Sequence, residues 1–160
     1  MIYDFKATTI DGKILDFSIY KGKLILIVNT ASIGHYSHQF IGLEKLHEEY
    51  KDRGLVVIGF PSGQFANHEF DTGKEILEFC QSNYGVTFQL MEKVEVNGEK
   101  AHPIFKYLLE QTKGIQKTRI KWDFTKFLIS PDGNAIKKFP PAAQPKELKG
   151  VIENMLNSGK

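Results

Sequence analysis

Residues 24–28 read Leu-Ile-Leu-Ile-Val, and residues 55–60 read Leu-Val-Val-Ile-Gly-Phe. Short apolar runs rich in Ile and Val predict strands covered on both faces. The first is taken through Asn29, and the second stops at Pro61, which has no N–H for a ladder. Between them Phe40, Leu43, Leu46 and Tyr50 recur at helical spacing. They predict a helix over 39–50, with Arg53-Gly54 as its stop. Strand, helix and strand make a βαβ unit, whose crossover joins parallel strands with a right-handed sense.

The flanking pattern extends the unit. Residues 2–8 and 14–17 predict two strands around an Asp11-Gly12 turn. Ile76, Phe79, Cys80 and Tyr84 share one face of a predicted helix over 72–84. A short strand over 87–91 follows, then a helix over 103–111 opening on Pro103. Strands over 126–130 and 135–139 flank the turn residues Pro131, Asp132, Gly133 and Asn134. An amphipathic helix over 146–156 comes last. Sequential strands near the end imply an antiparallel half of the sheet. The expected fold class is α/β: a single thioredoxin-like domain over 1–160. It has a mixed central sheet flanked by helices on both faces and an N-terminal β-hairpin.

Composition narrows the function classes. The 160 residues are 41% hydrophobic, enough for one sizeable core. Net charge is +2 with both signs interleaved, which points away from nucleic acid. No apolar run approaches the length of a bilayer span, and no signal-peptide pattern opens the chain. A lone cysteine, Cys80, rules out an internal disulfide and suggests a reducing, cytoplasmic setting.

Five stretches then carry a resemblance. They are Ile-Val-Asn-Thr-Ala-Ser at 27–32, Gly-Phe-Pro-Ser-Gly-Gln-Phe at 59–65 and Tyr-Gly-Val-Thr-Phe at 84–88. Val-Asn-Gly-Glu-Lys-Ala-His-Pro follows at 96–103, and Lys-Trp-Asp-Phe-Thr-Lys-Phe at 121–127. Together they resemble the glutathione peroxidase family over nearly the whole chain. Residues 114–120 look like its monomeric, thioredoxin-dependent branch. The resemblance implies a cysteine or selenocysteine nucleophile at a helix N-terminus, where its pKa falls. Gln64 and Trp122 match the family's assisting residues. Gly34 stands where the nucleophile would be, Asp123 where the family has Asn, and Cys80 near the resolving position. Glycine cannot attack a peroxide, so the resemblance with these departures implies a chain without thiol peroxidase activity.

The departures cluster in segments that the resemblance brings to one pocket at the strand ends. That confinement suggests a deliberately redesigned pocket, rimmed by Gly34, Tyr36, Gly63, Gln64 and Trp122. The leading expectation is an ester-cleaving or acid-base site. Ser37 or Ser62 would be the nucleophile, His35, His38 or His68 the base, and Asp123 the orienting group. Ser37 also reads as a helix N-cap, and Ser62 as an isostere of a family cysteine. The alternatives are a pocket with a binding role only, or a zinc site of the three histidines and Asp123. His47 reads as a solvated residue and His102 as structural. Beside Trp122, the Asp123 carboxyl is expected to have a raised pKa through desolvation. The leading expectation needs no cofactor or resident metal, and its partner is a small molecule in the pocket of a monomer.

Overall fold

The computed structural model describes residues 1–113 and 119–158. At its centre lies β3 (Leu24–Thr30), with all seven residues buried. It pairs in parallel with β4 (Leu55–Pro61) and antiparallel with β6 (Lys126–Ile129). The two-residue β5 (Gln89–Leu90) extends β4, and β7 (Ile136–Phe139) extends β6, giving the order β5-β4-β3-β6-β7. A separate hairpin of β1 (Lys6–Thr8) and β2 (Ile14–Asp16) stands at the N-terminus. This is the expected thioredoxin-like fold.

Alternation along β3 builds two cores, because successive side chains leave opposite faces. Leu24, Leu26 and Val28 meet Phe40, Leu43, Leu46 and Tyr50 of α1 (Gln39–Tyr50). The same layer holds Ile76 and Cys80 of α2 (Gly73–Tyr84) and Ile152 of α4 (Lys149–Ser158). Ile25 and Ile27 face the other way, toward Ile104, Phe105 and Leu108 of α3 (Pro103–Thr112). Each such side chain contributes roughly 1.5–3 kcal/mol on full burial, so β3 is held from both faces.

The element boundaries differ from the periodicity for identifiable reasons. The first predicted strand is split: Ile2–Asp4 form a 3-10 turn, and only Lys6–Thr8 pair with β2. Asp16 ends β2 by accepting from Ser18 N at 2.9 Å and starting a second 3-10 turn. Thr72 lies just outside α2 as its N-cap, accepting from Glu75 N at 3.2 Å. The predicted strand over 87–91 shrinks to two residues because Glu44 of α1 takes its first amides. Thr87 N and Phe88 N donate to Glu44 Oε1 at 2.8 and 3.2 Å. The last helix opens as a 3-10 turn, Pro145–Leu148, before α4. The branch resemblance read over 114–120 falls largely outside the described residues.

Glu44 is a long-range clamp as well as a helix residue. Burial raises its pKa, but the bonds from Thr87 and Phe88 and the nearby His47 outweigh burial, so its carboxyl lies below the usual value of 4.5. A lowered folded pKa stabilises the fold above the unfolded value, and that stability is lost as pH falls through the folded pKa. Glu44→Gln is expected to cost about 1–3 kcal/mol at pH 7. The difference should shrink below about pH 4.5, measured by urea denaturation at several pH values.

Candidate functional site

The site forms where β3 ends and the 122–125 turn crosses it. Asn29, fully buried in β3, binds that turn through both its side chain and its backbone. Its Nδ2 donates to Trp122 O at 3.1 Å, and its Oδ1 accepts from Thr125 N at 3.1 Å. Asn29 O accepts from Phe124 N at 2.7 Å, and Asn29 N donates to Thr125 O at 3.4 Å. The clamp holds Phe124 at a φ of 66° and sets Trp122 and Asp123 over the strand end. Ile33 N donates to His68 O at 3.0 Å, which brings the loop after β4 to the same place. That loop carries Ala66 and Asn67 at φ of 53° and 55°. Three non-glycine residues in left-handed backbone thus flank His68 and Asp123.

His68 and Asp123 are the two predicted site residues that meet. His68 Nδ1 lies 3.3 Å from Asp123 Oδ2, and the imidazole edge packs on Trp122 with centroids 5.7 Å apart. Trp122 also packs on Phe65 at 5.8 Å. Burial raises the Asp123 carboxyl to about 6, against the opposing pull of His68. Its Oδ1 is buried without a hydrogen-bond partner among the described residues. An ideal Cβ on Gly34 would fall 2.9 Å from His68 Nδ1 and 3.2 Å from its Cγ. The imidazole therefore fills the space into which a side chain at 34 would project.

The other predicted residues do not join them. Ser37 Oγ donates to Ala31 O at 2.6 Å in a buried turn. Nor is Ser37 the N-cap of α1: that position falls on His38, which makes no side-chain cap bond. Ser62 is buried, with Oγ accepting from Gln64 N at 3.4 Å. His35 is exposed and lies against Tyr36. His38, also exposed, faces His35 O at 3.2 Å and Gln144 Nε2 at 3.4 Å. Gln64 is committed elsewhere: its Oε1 accepts from Val96 N and Asn97 N, and its Nε2 donates to Glu95 and Asn97 O. A Cβ on Gly63 would meet Lys93, not a histidine. His47 is half-buried, not solvated, and its Nδ1 has no hydrogen-bond partner among the described residues. His102 caps α3, accepting from Ile104 N at 3.2 Å.

Reasoning from the sequence passed over Ser32 and Glu69. Both are buried, and Cys80 Sγ lies 3.6 Å from Ser32 Oγ, with Glu69 near enough to add to the rise of its thiol pKa. Burial pushes the Cys80 thiol up to about 12. The one signal in the chain was adjacency: Ser32 closes the family-like stretch and Glu69 follows His68.

Two outcomes follow from this geometry. Asp123→Asn should stabilise the protein above pH 6 by about 2–3 kcal/mol, at 1.4 per pKa unit. A carboxyl with a raised folded pKa destabilises the fold once ionised, so the gain should vanish below the unfolded value of 3.8. Thermal denaturation between pH 3 and 8 reads this. Gly34→Ala should cost about 1–3 kcal/mol through overpacking. Combining it with His68→Ala should remove that extra cost, seen as a coupling energy in a double-mutant cycle.

Comparison with known proteins places this geometry in context. The family model described as glutathione peroxidase matches residues 2–109. A glutathione peroxidase of Lactococcus lactis subsp. cremoris is 49% identical over 154 residues, covering 96% of this chain and 98% of that protein. A glutathione peroxidase-like peroxiredoxin of Schizosaccharomyces pombe is 43% identical over 154 residues, covering 96% and 98%. The crystal structure of T. cruzi GPX1 superposes with a TM-score of 0.79 at 32% identity, covering 98% of this chain and 96% of that one. These findings overturn the expectation of a peroxidase scaffold without peroxidase activity, redesigned for ester cleavage or acid-base work. Relatives matched from end to end are named for peroxide chemistry, and neither serine has a histidine partner. The zinc alternative fails too, since no three His, Cys, Asp or Glu side chains among the described residues could hold a metal. The binding-only alternative falls with the same relatives. The chain belongs to the glutathione peroxidase family.

Proposed function

We propose that the chain reduces hydroperoxides through Cys80, its only thiol. The observation that carries this reading is the position of Cys80. Its Sγ touches Ser32 Oγ at 3.6 Å, at the end of β3 and two residues before Gly34. Position 34, where the resemblance puts a nucleophile, has no side chain. The two electrons must then come from Cys80. Sulfur attacks the terminal peroxide oxygen, the O–O bond breaks, and Cys80 becomes a sulfenic acid while an alcohol or water leaves. No second cysteine is present to form an internal disulfide. Two equivalents of an external thiol therefore return Cys80 to the thiol, yielding their own disulfide and water.

The geometry also sets the pace. With the thiol pushed up to about 12, thiolate is scarce in the closed fold at pH 7. Peroxide meets Sγ only through local opening of the kind that exposes buried groups. A lone buried thiol suits a reducing, cytoplasmic compartment, and the reading takes a small hydroperoxide as substrate for a monomer. Among the described residues, no helix is long and apolar enough to cross a membrane.

The test is hydrogen peroxide consumption with dithiothreitol as reductant, alongside trapping of sulfenic acid with a dimedone probe. Turnover should be slow, rise with pH, and disappear in Cys80→Ser, with the probe on Cys80. Turnover that survives Cys80→Ser, or none in the unaltered chain, would sink the reading.

A further inference from the structure

Among the described residues, two buried carboxylate oxygens have no hydrogen-bond partner, and both lie in or against the 62–72 loop between β4 and α2. Glu69 belongs to that loop. Its Oε1 accepts from Phe70 N at 2.9 Å, and its Oε2 is the unpaired atom. Asp123 faces the loop from the 122–125 turn. Its Oδ2 meets His68 Nδ1 at 3.3 Å, and its Oδ1 is unpaired. Glu69 is 6% exposed and Asp123 2%. A carboxyl so enclosed is tolerable while it holds a proton. Once ionised it has too few donors around it, and a buried charge in that state is costly.

The contacts that hold the loop down can be named. Ile33 N donates to His68 O at 3.0 Å, and His68 N to Phe65 O at 3.4 Å. The Phe70 ring packs on Phe79 of α2 with centroids 5.0 Å apart. The His68 imidazole stands in the notch left by Gly34, edge-on to Trp122. The two carboxyls thus act on adjacent residues of one short segment, His68 and Glu69.

Burial raises both carboxyls, Asp123 to about 6 and Glu69 above 4.5. His68 is the titratable group facing Asp123, and Lys93, Cys80 and Tyr84 are those facing Glu69. His68 and Lys93 pull their carboxyls down, yet burial outweighs them. A closed loop that raises these groups binds protons more tightly than an open one. Acid therefore favours the closed form. For Asp123 that preference falls away as pH rises from the ordinary 3.8 to about 6.

We propose that the 62–72 loop is a pH-driven flap: it is shut while Asp123 and Glu69 are protonated and loosens when they ionise, withdrawing His68 from the notch at Gly34 and giving both carboxylates water. In acid the imidazole plugs the space at position 34. Toward neutral pH that space, beside Trp122, opens to a small molecule. The flap stands whether or not Cys80 is the redox thiol.

The measurement is amide hydrogen exchange in the full chain from pH 4 to 8, expressed as protection against the freely exchanging rate at each pH. Ile33 N–H and Phe70 N–H report the flap, since their acceptors are His68 O and Glu69 Oε1. Protection at both should fall by about 10- to 100-fold across the range, the upper bound being set by an Asp123 pKa that drops from about 6 to 3.8 on opening. At pH 8 both should exchange at least about 10-fold faster than the amides of β3, which open only with the whole fold. The Asp123→Asn, Glu69→Gln double variant should keep its protection nearly level. Trp122, the only tryptophan, gives a second readout. Its emission should move to the red from pH 4 to 8 in the unaltered chain, as the imidazole leaves it, and stay put in the double variant.

Protection at Ile33 and Phe70 that is level or rises with pH would overturn the flap, as would exchange there no faster than in β3. An emission maximum that stays put in the unaltered chain would count equally against it. A fall undiminished in the double variant would assign the change to His68 alone and sink the role of the carboxyls. Should the double variant fail to fold, Asp123→Asn alone takes its place. It should remove most of the fall at Ile33, and a fall left whole there rejects the flap.

Discussion

Asn29 ties the fold to the site. It is the penultimate residue of the central strand, with no solvent contact, and binds residues 122, 124 and 125 through side chain and backbone together. Buried polar groups are costly unless paired. Here all of that pairing is directed at one turn, which therefore has a single position. Trp122 and Asp123 inherit it, and through them so does His68. The clamp depends in turn on β3 being rigid, and β3 is rigid because two hydrophobic layers and two neighbouring strands enclose it.

From that frame the strand end divides into two polar regions with different solvent access. On one side His68, Asp123 and Trp122 form a half-open group, with the imidazole standing in the space that a side chain at 34 would need. On the other, Ser32, Glu69 and Cys80 are shut away behind the same loops. Residues 33 and 68 are joined by a backbone hydrogen bond, so the two regions meet along the same pair of loops. The left-handed backbone at Ala66 places strain of about 1–2 kcal/mol in the loop that carries His68, while Asn67 beside it is a residue type that takes this conformation readily.

Much of the fold was legible because its signals are local. The helix over 39–50 came out residue for residue, since its apolar face and its glycine stop lie within one stretch of chain. The strand over 87–91 did not, because its amides are taken by Glu44, more than forty residues earlier. Ser37 looked like an N-cap and a nucleophile, yet its hydroxyl is spent on Ala31 O. Gln64 looked like a pocket residue, yet its amide braces residues 95–97. A polar side chain has several possible partners, and residue type alone does not choose among them.

By itself the sequence determined the family, the βαβ core, the single thiol and the glycine at 34. Each of these is a matter of residue identity, periodicity or local turn chemistry. Only the tertiary structure decided that His68 meets Asp123 while His35 and His38 stay outside. It alone put Ser32 and Glu69 against Cys80. Those pairings join residues that are distant along the chain and become neighbours only when loops converge at the ends of parallel strands. Which groups are buried together there, and so which charges are costly, is a property of packing that no single segment carries.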